Sequence, residues 1–387
     1  MAAKPRFDGE WVKLGELTSL VSRKNKTGQC GAVYSVTNSQ GFIPSTEYFS
    51  KEVFSKELKT YKLVGRNQIA YNPSRINVGS VALQDREDEV VVSPLYVVFS
   101  VDQERLDPAY LLRFLKSGPG LSQIAFQSIG TVRNNLKYDG LSNILLRVPS
   151  LEEQRLRIRA LVSLEERIET CRSFLSRLDA LVKSRFVEMF GGGEWEVAPL
   201  SELASIQGGL TKNRRRDQMP LRCPYLRVAN VLRGMLCLEE VLEIGLTEAE
   251  LEKTALLKGD LLFVEGNGSS DQIGRCAVWD GSIASCVHQN HLIRVRFDNN
   301  VIPVFALAYF NSVDGREQIS ACAVSTSGLF TLSTGKIKSL EIPLPPLFLQ
   351  QEFADFVAEV DKSRFVVQQQ IEKLQMLYDS LAQEYFS

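Results

Sequence analysis

Pro149-Ser150-Leu151-Glu152-Glu153-Gln154 returns as Pro345-Pro346-Leu347-Phe348-Leu349-Gln350, an offset of 196 residues (149 to 345), and each copy opens a long amphipathic helical stretch. The offset runs on without a gap: Leu181-Val182-Lys183-Ser184-Arg185 and Glu188-Met189-Phe190 align with Leu377-Tyr378-Asp379-Ser380-Leu381 and Glu384-Tyr385-Phe386. So fixed a register implies two helices with one job. Upstream the copies drift by little. The run from Pro108 to Ser117 matches Pro303 to Ser312 at 195 (108 to 303), and Leu14-Gly15-Glu16-Leu17 matches Leu200-Ser201-Glu202-Leu203 at 186 (14 to 200). The chain is a duplication, and the drift falls in segments that read as loops.

From Leu161 the first helix carries Leu161, Leu164, Ile168, Cys171, Leu175, Leu178, Val182, Arg185 and Met189, spaced alternately three and four apart. That is a heptad seam. The second helix answers with Val357, Val360, Arg364, Val367, Ile371, Leu374, Tyr378, Leu381 and Tyr385. Roughly 36 residues at ~1.5 Å each make a rod above ~50 Å, longer than a small domain is wide, so the two rods are expected to pair with each other. The first rod leads through Gly191-Gly192-Gly193 straight into the second globular unit. That connection favours antiparallel pairing, a pseudo-twofold dumbbell with one globular unit at each end. Arg185 and Arg364 interrupt the seam and need to snorkel or to meet a carboxylate.

The globular parts read as α+β. In the first, Gln68 to Tyr71, Val90 to Val92 and Leu95 to Phe99 are β-rich runs separated by Gly, Pro and Asn signals. A helix then opens at Pro108 and is expected to end at Gly118-Pro119-Gly120. The second repeats the order, with strands at Leu261 to Val264, Cys276 to Trp279 and Leu292 to Phe297 and a helix from Pro303. The expected division is two α+β domains over residues 1–146 and 193–341, each followed by a helix, over 147–192 and 342–387.

Composition sets the outer limits. The apolar and charged fractions, 44% and 24%, are those of a soluble globular protein. No apolar run approaches the ~20 residues of a membrane span and the N-terminus lacks a signal-peptide stretch, so a cytoplasmic protein with no membrane contact is expected. Seven scattered cysteines without a Cys-x-x-Cys pair read as reduced thiols. A net charge of −1 argues against a general polyanion binder and confines any nucleic-acid role to local basic patches.

Catalytic signatures are missing. Asn72-Pro73-Ser74 begins like the Asn-Pro-Pro-Tyr element of amino-methyltransferases but lacks the second Pro and the aromatic ring, and reads as a turn. The run ending in Thr334-Gly335-Lys336-Ile337 has the wrong glycine spacing for a phosphate loop. Cys286-Val287-His288-Gln289-Asn290-His291 holds the only two histidines, and a hydrogen-bonding role is expected there in preference to a metal site.

Three pairs of loops are more informative. Ser22 to Gly28, with Lys24, Asn25 and Lys26, stands opposite Thr211 to Arg216, with Lys212, Asn213, Arg214, Arg215 and Arg216. Basic, Asn-bearing loops suit phosphate contacts and base-edge hydrogen bonds. Asn72 to Arg75 stands opposite Gly266 to Asp271, with Asn267, Ser269 and Ser270; Ser128 to Asn135, with Thr131, Arg133 and Asn134, stands opposite Ser325 to Thr331, with Thr326 and Ser327. Loops that differ on one scaffold fit two readers of two different sequences, and they also fit the drift usual in loops.

The duplicated Pro-x-Leu-x-x-Gln motif, the heptad helix after it and the shared helix ending with Phe make this chain resemble the specificity subunit of type I restriction-modification systems, over its whole length. His288-Gln289-Asn290-His291-Leu292-Ile293-Arg294 also fits that likeness. The resemblance implies a non-catalytic, DNA-binding subunit: two homologous α/β target-recognition domains joined by two long antiparallel coiled-coil helices. Each domain would take one half of a bipartite double-stranded DNA target, and the helices would set the gap. It further implies two methyltransferase (modification) subunits and restriction/translocase subunits as partners. S-adenosylmethionine, ATP and Mg would reside on them and no cofactor in this chain. Leu161, Leu164, Ile168, Leu175, Leu178 and Val182 would face Val357, Val360, Val367, Ile371, Leu374, Tyr378 and Leu381. A peptide-binding scaffold without DNA specificity keeps the same architecture and stays open at this point; a self-sufficient methyltransferase is disfavoured by the missing motifs.

Overall fold

The computed structural model describes residues 9–38, 40–48, 58–128, 135–269, 271–326 and 328–387. They form two compact units, Met1–Ser173 with Gln368–Ser387, and Phe174–Val367. The long helices run Leu151–Phe190 and Leu347–Phe386, 40 residues each, so each unit takes part of both.

In the first unit Glu10–Lys13 pairs antiparallel with Leu145–Val148, the strand that feeds the first long helix. A four-stranded antiparallel sheet follows in the order Thr18–Val21, Val97–Val101, Ile69–Tyr71, Val81–Leu83. The second unit repeats both features. Val197–Pro199 pairs with Glu341–Pro343, and the sheet order is Ala204–Gly208, Leu292–Phe297, Leu261–Val264, Cys276–Val278. Side chains alternate across these strands: Leu261 and Phe263 enter one core and Leu262 and Val264 another. A sheet covered on both faces explains why Leu261 to Val264 reads as an unbroken apolar run.

After the sheet each unit makes a helical corner. Pro108–Lys116 ends just before Gly118-Pro119-Gly120 as expected, but those residues also open a second helix, Gly118–Ser128. Ser117 Oγ donates to the Phe114 carbonyl (2.7 Å) and accepts from Gly120 N (3.2 Å). A Cβ on Gly120 would lie 1.9 Å from that carbonyl, so only glycine lets the second helix turn so tightly. Ser312 and Gly315 repeat the device between Pro303–Asn311 and Val313–Cys322, with 2.2 Å from a Gly315 Cβ to the Tyr309 carbonyl.

The helix pair is antiparallel within each unit. In the first, Arg157 meets Tyr385 and Glu165 meets Tyr378; in the second, Asp179 meets Arg364 and Arg185 meets Glu352. Leu164, Ile168, Cys171, Ile371, Leu374, Tyr378 and Leu381 form one apolar cluster. Leu161 enters the first unit's main core, Val182 and Val357 the second's, and Leu178, Val360 and Val367 are buried while Leu175 is half-buried. Both seam arginines find carboxylates across the pair.

Candidate nucleic-acid interface and the helix roots

The frame that carries the loops is fixed at the repeated motif. Gln154 is fully buried: its Oε1 accepts from Asp107 N (2.8 Å), and its Nε2 donates to the carbonyls of Arg105 (2.9 Å) and Pro149 (2.8 Å). Gln350 repeats all three bonds, with Ile302 N (2.9 Å) and the carbonyls of Asn300 (3.2 Å) and Pro345 (2.8 Å). Only a primary amide offers one acceptor and two donors in this fork. The glutamine thus ties the root of each long helix to the segment entering the Pro-opened helix.

One turn further on, the two copies invert their chemistry. Arg157, 4% exposed, donates through Nε to Glu153 Oε1 (2.8 Å) and through Nη1 to Tyr110 Oη (3.2 Å) and the Tyr385 carbonyl (3.1 Å). Its guanidinium lies 5.1 Å from the centroid of the Tyr385 ring. The counterparts of Arg157, Glu153, Tyr110 and Tyr385 are Phe353, Leu349, Phe305 and Met189, and there Phe186, Phe190, Phe305 and Phe353 pack ring on ring at 4.8–5.8 Å. The Glu153 versus Leu349 difference is therefore one member of a correlated exchange of a polar core for an aromatic one.

The loops are positioned in pairs. In the first unit Leu136 N donates to the Pro73 carbonyl (3.0 Å), which brings the Asn72 to Arg75 turn to the end of the 128–135 loop. In the second, Gly266–Asn267 pairs antiparallel with Leu329–Thr331, which in turn pairs with Val324–Thr326. The equivalent loops thus adjoin in both units. Arg75 and Ser269 are exposed and Asn267 is half-buried, its Oδ1 accepting from Ser269 N (2.9 Å). Asn72 Oδ1 accepts from Ser74 N (3.1 Å) and Oγ (3.0 Å), a turn as its sequence suggests. Thr326 lies in the strand facing the Gly266 loop's partner. Thr131, Arg133, Asn134, Ser270 and Ser327 fall outside the described residues.

The basic loops need two corrections. Asn25 is 2% exposed; its Nδ2 donates to the Cys30 carbonyl (2.7 Å) and its Oδ1 accepts from Cys30 N (3.3 Å), so its amide closes the loop and is not offered to a base. Lys24 and Lys26 on either side are exposed. Arg216 is 8% exposed, with Nη2 and Nη1 on the two Glu250 oxygens (2.8 and 3.1 Å), Nη1 also on the Gly245 carbonyl (3.0 Å) and Nε on that of Thr211 (2.8 Å). It pins the loop while Lys212, Arg214 and Arg215 face solvent. The Arg216 guanidinium holds the Glu250 carboxyl down at about 2. Asn213 caps the short turn Arg214–Gln218, its Oδ1 accepting from Arg215 N (3.1 Å).

His288 is fully buried, with Nδ1 3.2 Å from the Thr254 carbonyl and Nε2 3.4 Å from that of Gln207. Burial pulls it down to about 4, so it is a neutral strut; exposed His291 lies 3.2 Å from Glu265. Sequence reasoning missed Arg233 and Arg316, which brace the loop at Asp271, and Arg275, which braces the Val228 to Val231 segment. Arg233 and Arg316 both donate to the Asp271 carbonyl, and Arg275 donates to those of Val228 and Val231.

Two α+β units of one plan, each with an exposed basic loop and an adjoining pair of polar loops above an amide-locked helix root, define a duplicated recognition scaffold. Residues 192–376 match the family model described as the type I restriction modification DNA specificity domain. The chain is 24% identical over 316 residues to the EcoKI specificity subunit of Escherichia coli K12, covering 76% of this chain. It is 25% identical over 299 residues to the StySPI specificity subunit of Salmonella potsdam, covering 72%. These alignments span 65% and 64% of those relatives' own lengths. A solved structure described under complex assembly and conformational transition of the type I R-M system shares the fold at a TM-score of 0.58, with 16% identity over 98% of both chains. The type I S subunit from M. genitalium does so at 0.52, with 14% identity over 100% of this chain and 98% of that one. Residues 192–376 thus match the type I restriction modification DNA specificity domain, and the chain is similar over most of its length to specificity subunits of type I restriction-modification systems.

Proposed function

We propose that this chain is the non-catalytic subunit that gives a type I restriction-modification enzyme its DNA sequence specificity. Residues 1–146 and 193–341 each read one half of a bipartite double-stranded target, and the paired helices, over 147–192 and 342–387, hold the gap between halves. Two methyltransferase subunits dock on the helices, and restriction/translocase subunits join them; S-adenosylmethionine, ATP and Mg belong to those partners. The observation that carries this reading is the contrast within the repeat. The Gln154 and Gln350 locks repeat the same three bonds, whereas the exposed loops they support differ in most of their polar side chains, the equivalent Lys26 and Lys212 being shared. An identical frame with unlike loops is what two different half-sites require.

Lys24, Lys26, Arg75, Lys212, Arg214 and Arg215 are the basic contacts proposed here, with Asn213, Asn267 and Ser269 beside them. Thr131, Arg133, Asn134, Ser270, Thr326 and Ser327 complete the proposed set. Mapping methylated bases in host cells with and without this chain tests the proposal. A bipartite motif should vanish on deletion. Inserting one helical turn at equivalent points of both long helices should lengthen its gap and leave both halves unchanged. An unaltered gap refutes the spacer role, and an unaltered methylome refutes the whole.

A further inference from the structure

Four polar links join the two long helices, and each occurs in one unit only. In the first unit Tyr378 Oη donates to Glu165 Oε1 (3.0 Å), and Arg157 holds the Tyr385 carbonyl (3.1 Å) and lies over its ring. In the second, Arg185 meets Glu352 (2.9 Å) and Arg364 meets Asp179 (2.7 Å). The 196-residue offset (149 to 345) names what stands at the equivalent places in the other unit. Glu165 and Tyr378 become Asp361 and Val182; Arg157 and Tyr385 become Phe353 and Met189. Arg185 and Glu352 become Leu381 and Leu156, and Asp179 and Arg364 become Gln375 and Ile168. None of the four replacements is an ion pair.

We infer that the long helices carry a mutual recognition code, in which each selects the unlike helix and discriminates against a second copy of itself. Consider two first helices in the observed antiparallel register. Arg185 would meet Leu156, Asp179 would meet Ile168, and Glu165 would meet Val182. Arg157 would keep a carbonyl but lose the tyrosine ring at Met189. Each mismatch occurs twice in such a pair. Two second helices would set Glu352 against Leu381, Arg364 against Gln375 and Phe353 against Tyr385, keeping only a tyrosine–carboxylate contact through Tyr378 and Asp361. The apolar seam by itself is indifferent to this choice, because both helices supply aliphatic residues at the same heptad positions. In a like pair Arg185 and Arg364 keep only the carboxylates on their own helix, Glu188 and Asp361, and Glu165 keeps only Arg113, so the wrong pair forfeits each of these links across the helices. With each mismatch doubled, like pairing is disfavoured by at least about tenfold.

The code serves a need that the duplication itself creates. A chain with two helices of one register could otherwise pair across copies, helix on like helix, and join units from different molecules.

Two full-length versions of the chain with different affinity tags, produced together, test this. Wild-type copies should not co-purify and should run as single chains by light scattering. The substitutions Glu352→Leu, Arg364→Ile, Tyr378→Val and Tyr385→Met give the second helix what the first carries at those places. That variant should keep its helix content and yield about tenfold more mixed-tag complex. A folded variant with no more mixing than wild type overturns the inference, as does free mixing of the wild type. A parallel arm guards against loss of the fold: Arg364→Asp should lower the melting temperature, and adding Asp179→Arg should recover at least half of that loss. Absence of recovery also overturns it.

Discussion

Arg157→Met probes the polar core at the root of the first helix. Methionine keeps most of the volume and removes every hydrogen bond. It strands two groups in a buried setting, the Tyr110 hydroxyl and the Tyr385 carbonyl, which lie 3.5 Å apart and satisfy each other poorly. Each stranded group costs about 1–2 kcal/mol, and loss of the stacking on Tyr385 adds about 1 kcal/mol. Freedom from desolvating a guanidinium returns about 1 kcal/mol. The net is a loss of about 3 kcal/mol, or roughly 6–12 °C for a unit of this size. Thermal and urea unfolding of the full chain, followed by circular dichroism, should show the first unit's transition move and the second's hold. Adding Tyr110→Phe copies the choice made at Phe305 and should recover about 1–2 kcal/mol, because no hydroxyl is then left stranded. A variant that melts within about 1 °C of wild type, or a second substitution that deepens the loss, refutes the reasoning.

His288 gives a pH dependence with a definite sign. Its folded value of about 4 lies below the ordinary 6.5, so the unfolded chain binds the proton first; the second unit keeps full stability above 6.5 and loses up to about 3 kcal/mol as pH falls toward 4. Urea unfolding at closely spaced pH values measures the slope, and His288→Gln should flatten it. Gly120→Ala and Gly315→Ala each drive a methyl into a carbonyl at 1.9 or 2.2 Å, and each should cost its own unit more than about 3 kcal/mol in the same assay. Arg216→Gln should destabilise the second unit by about 2 kcal/mol, whereas Arg214→Gln and Arg215→Gln should leave melting unchanged. Those two should instead weaken binding to any DNA duplex and lower its salt slope by about 1 per contact, measured by titration at several salt concentrations.

The helices, the Pro-opened corners and strands such as Leu261–Val264 were legible because their periodicity and end signals are local. The seam was legible only in its middle. A strict heptad carries it to Arg185 and Met189, but the most buried residues there are Phe186 and Phe190, matched by Ala382 and Phe386 in the second helix. An α-helix drifts about 20° per heptad, and over this length the stripe slips by one position. Asn25 and Arg216 have the chemistry of base readers. Only partners such as Cys30 across the loop, and Gly245 and Glu250 on other elements, reveal that they are spent inside the protein. Arg157 reads as one more charged helix residue, because the tyrosine that receives it is 228 positions away. The three bracing arginines share no motif at all.

The division of the long helices between the units also bears on the order in which the protein can be completed. The second unit is one contiguous stretch, Phe174–Val367, whereas the first is finished by Gln368–Ser387, which supplies Ala382 and Phe386 to its core. Every part of the second unit precedes Gln368–Ser387 in the chain, so the first unit, though encoded earlier, has its core completed by a later stretch than any the second unit needs.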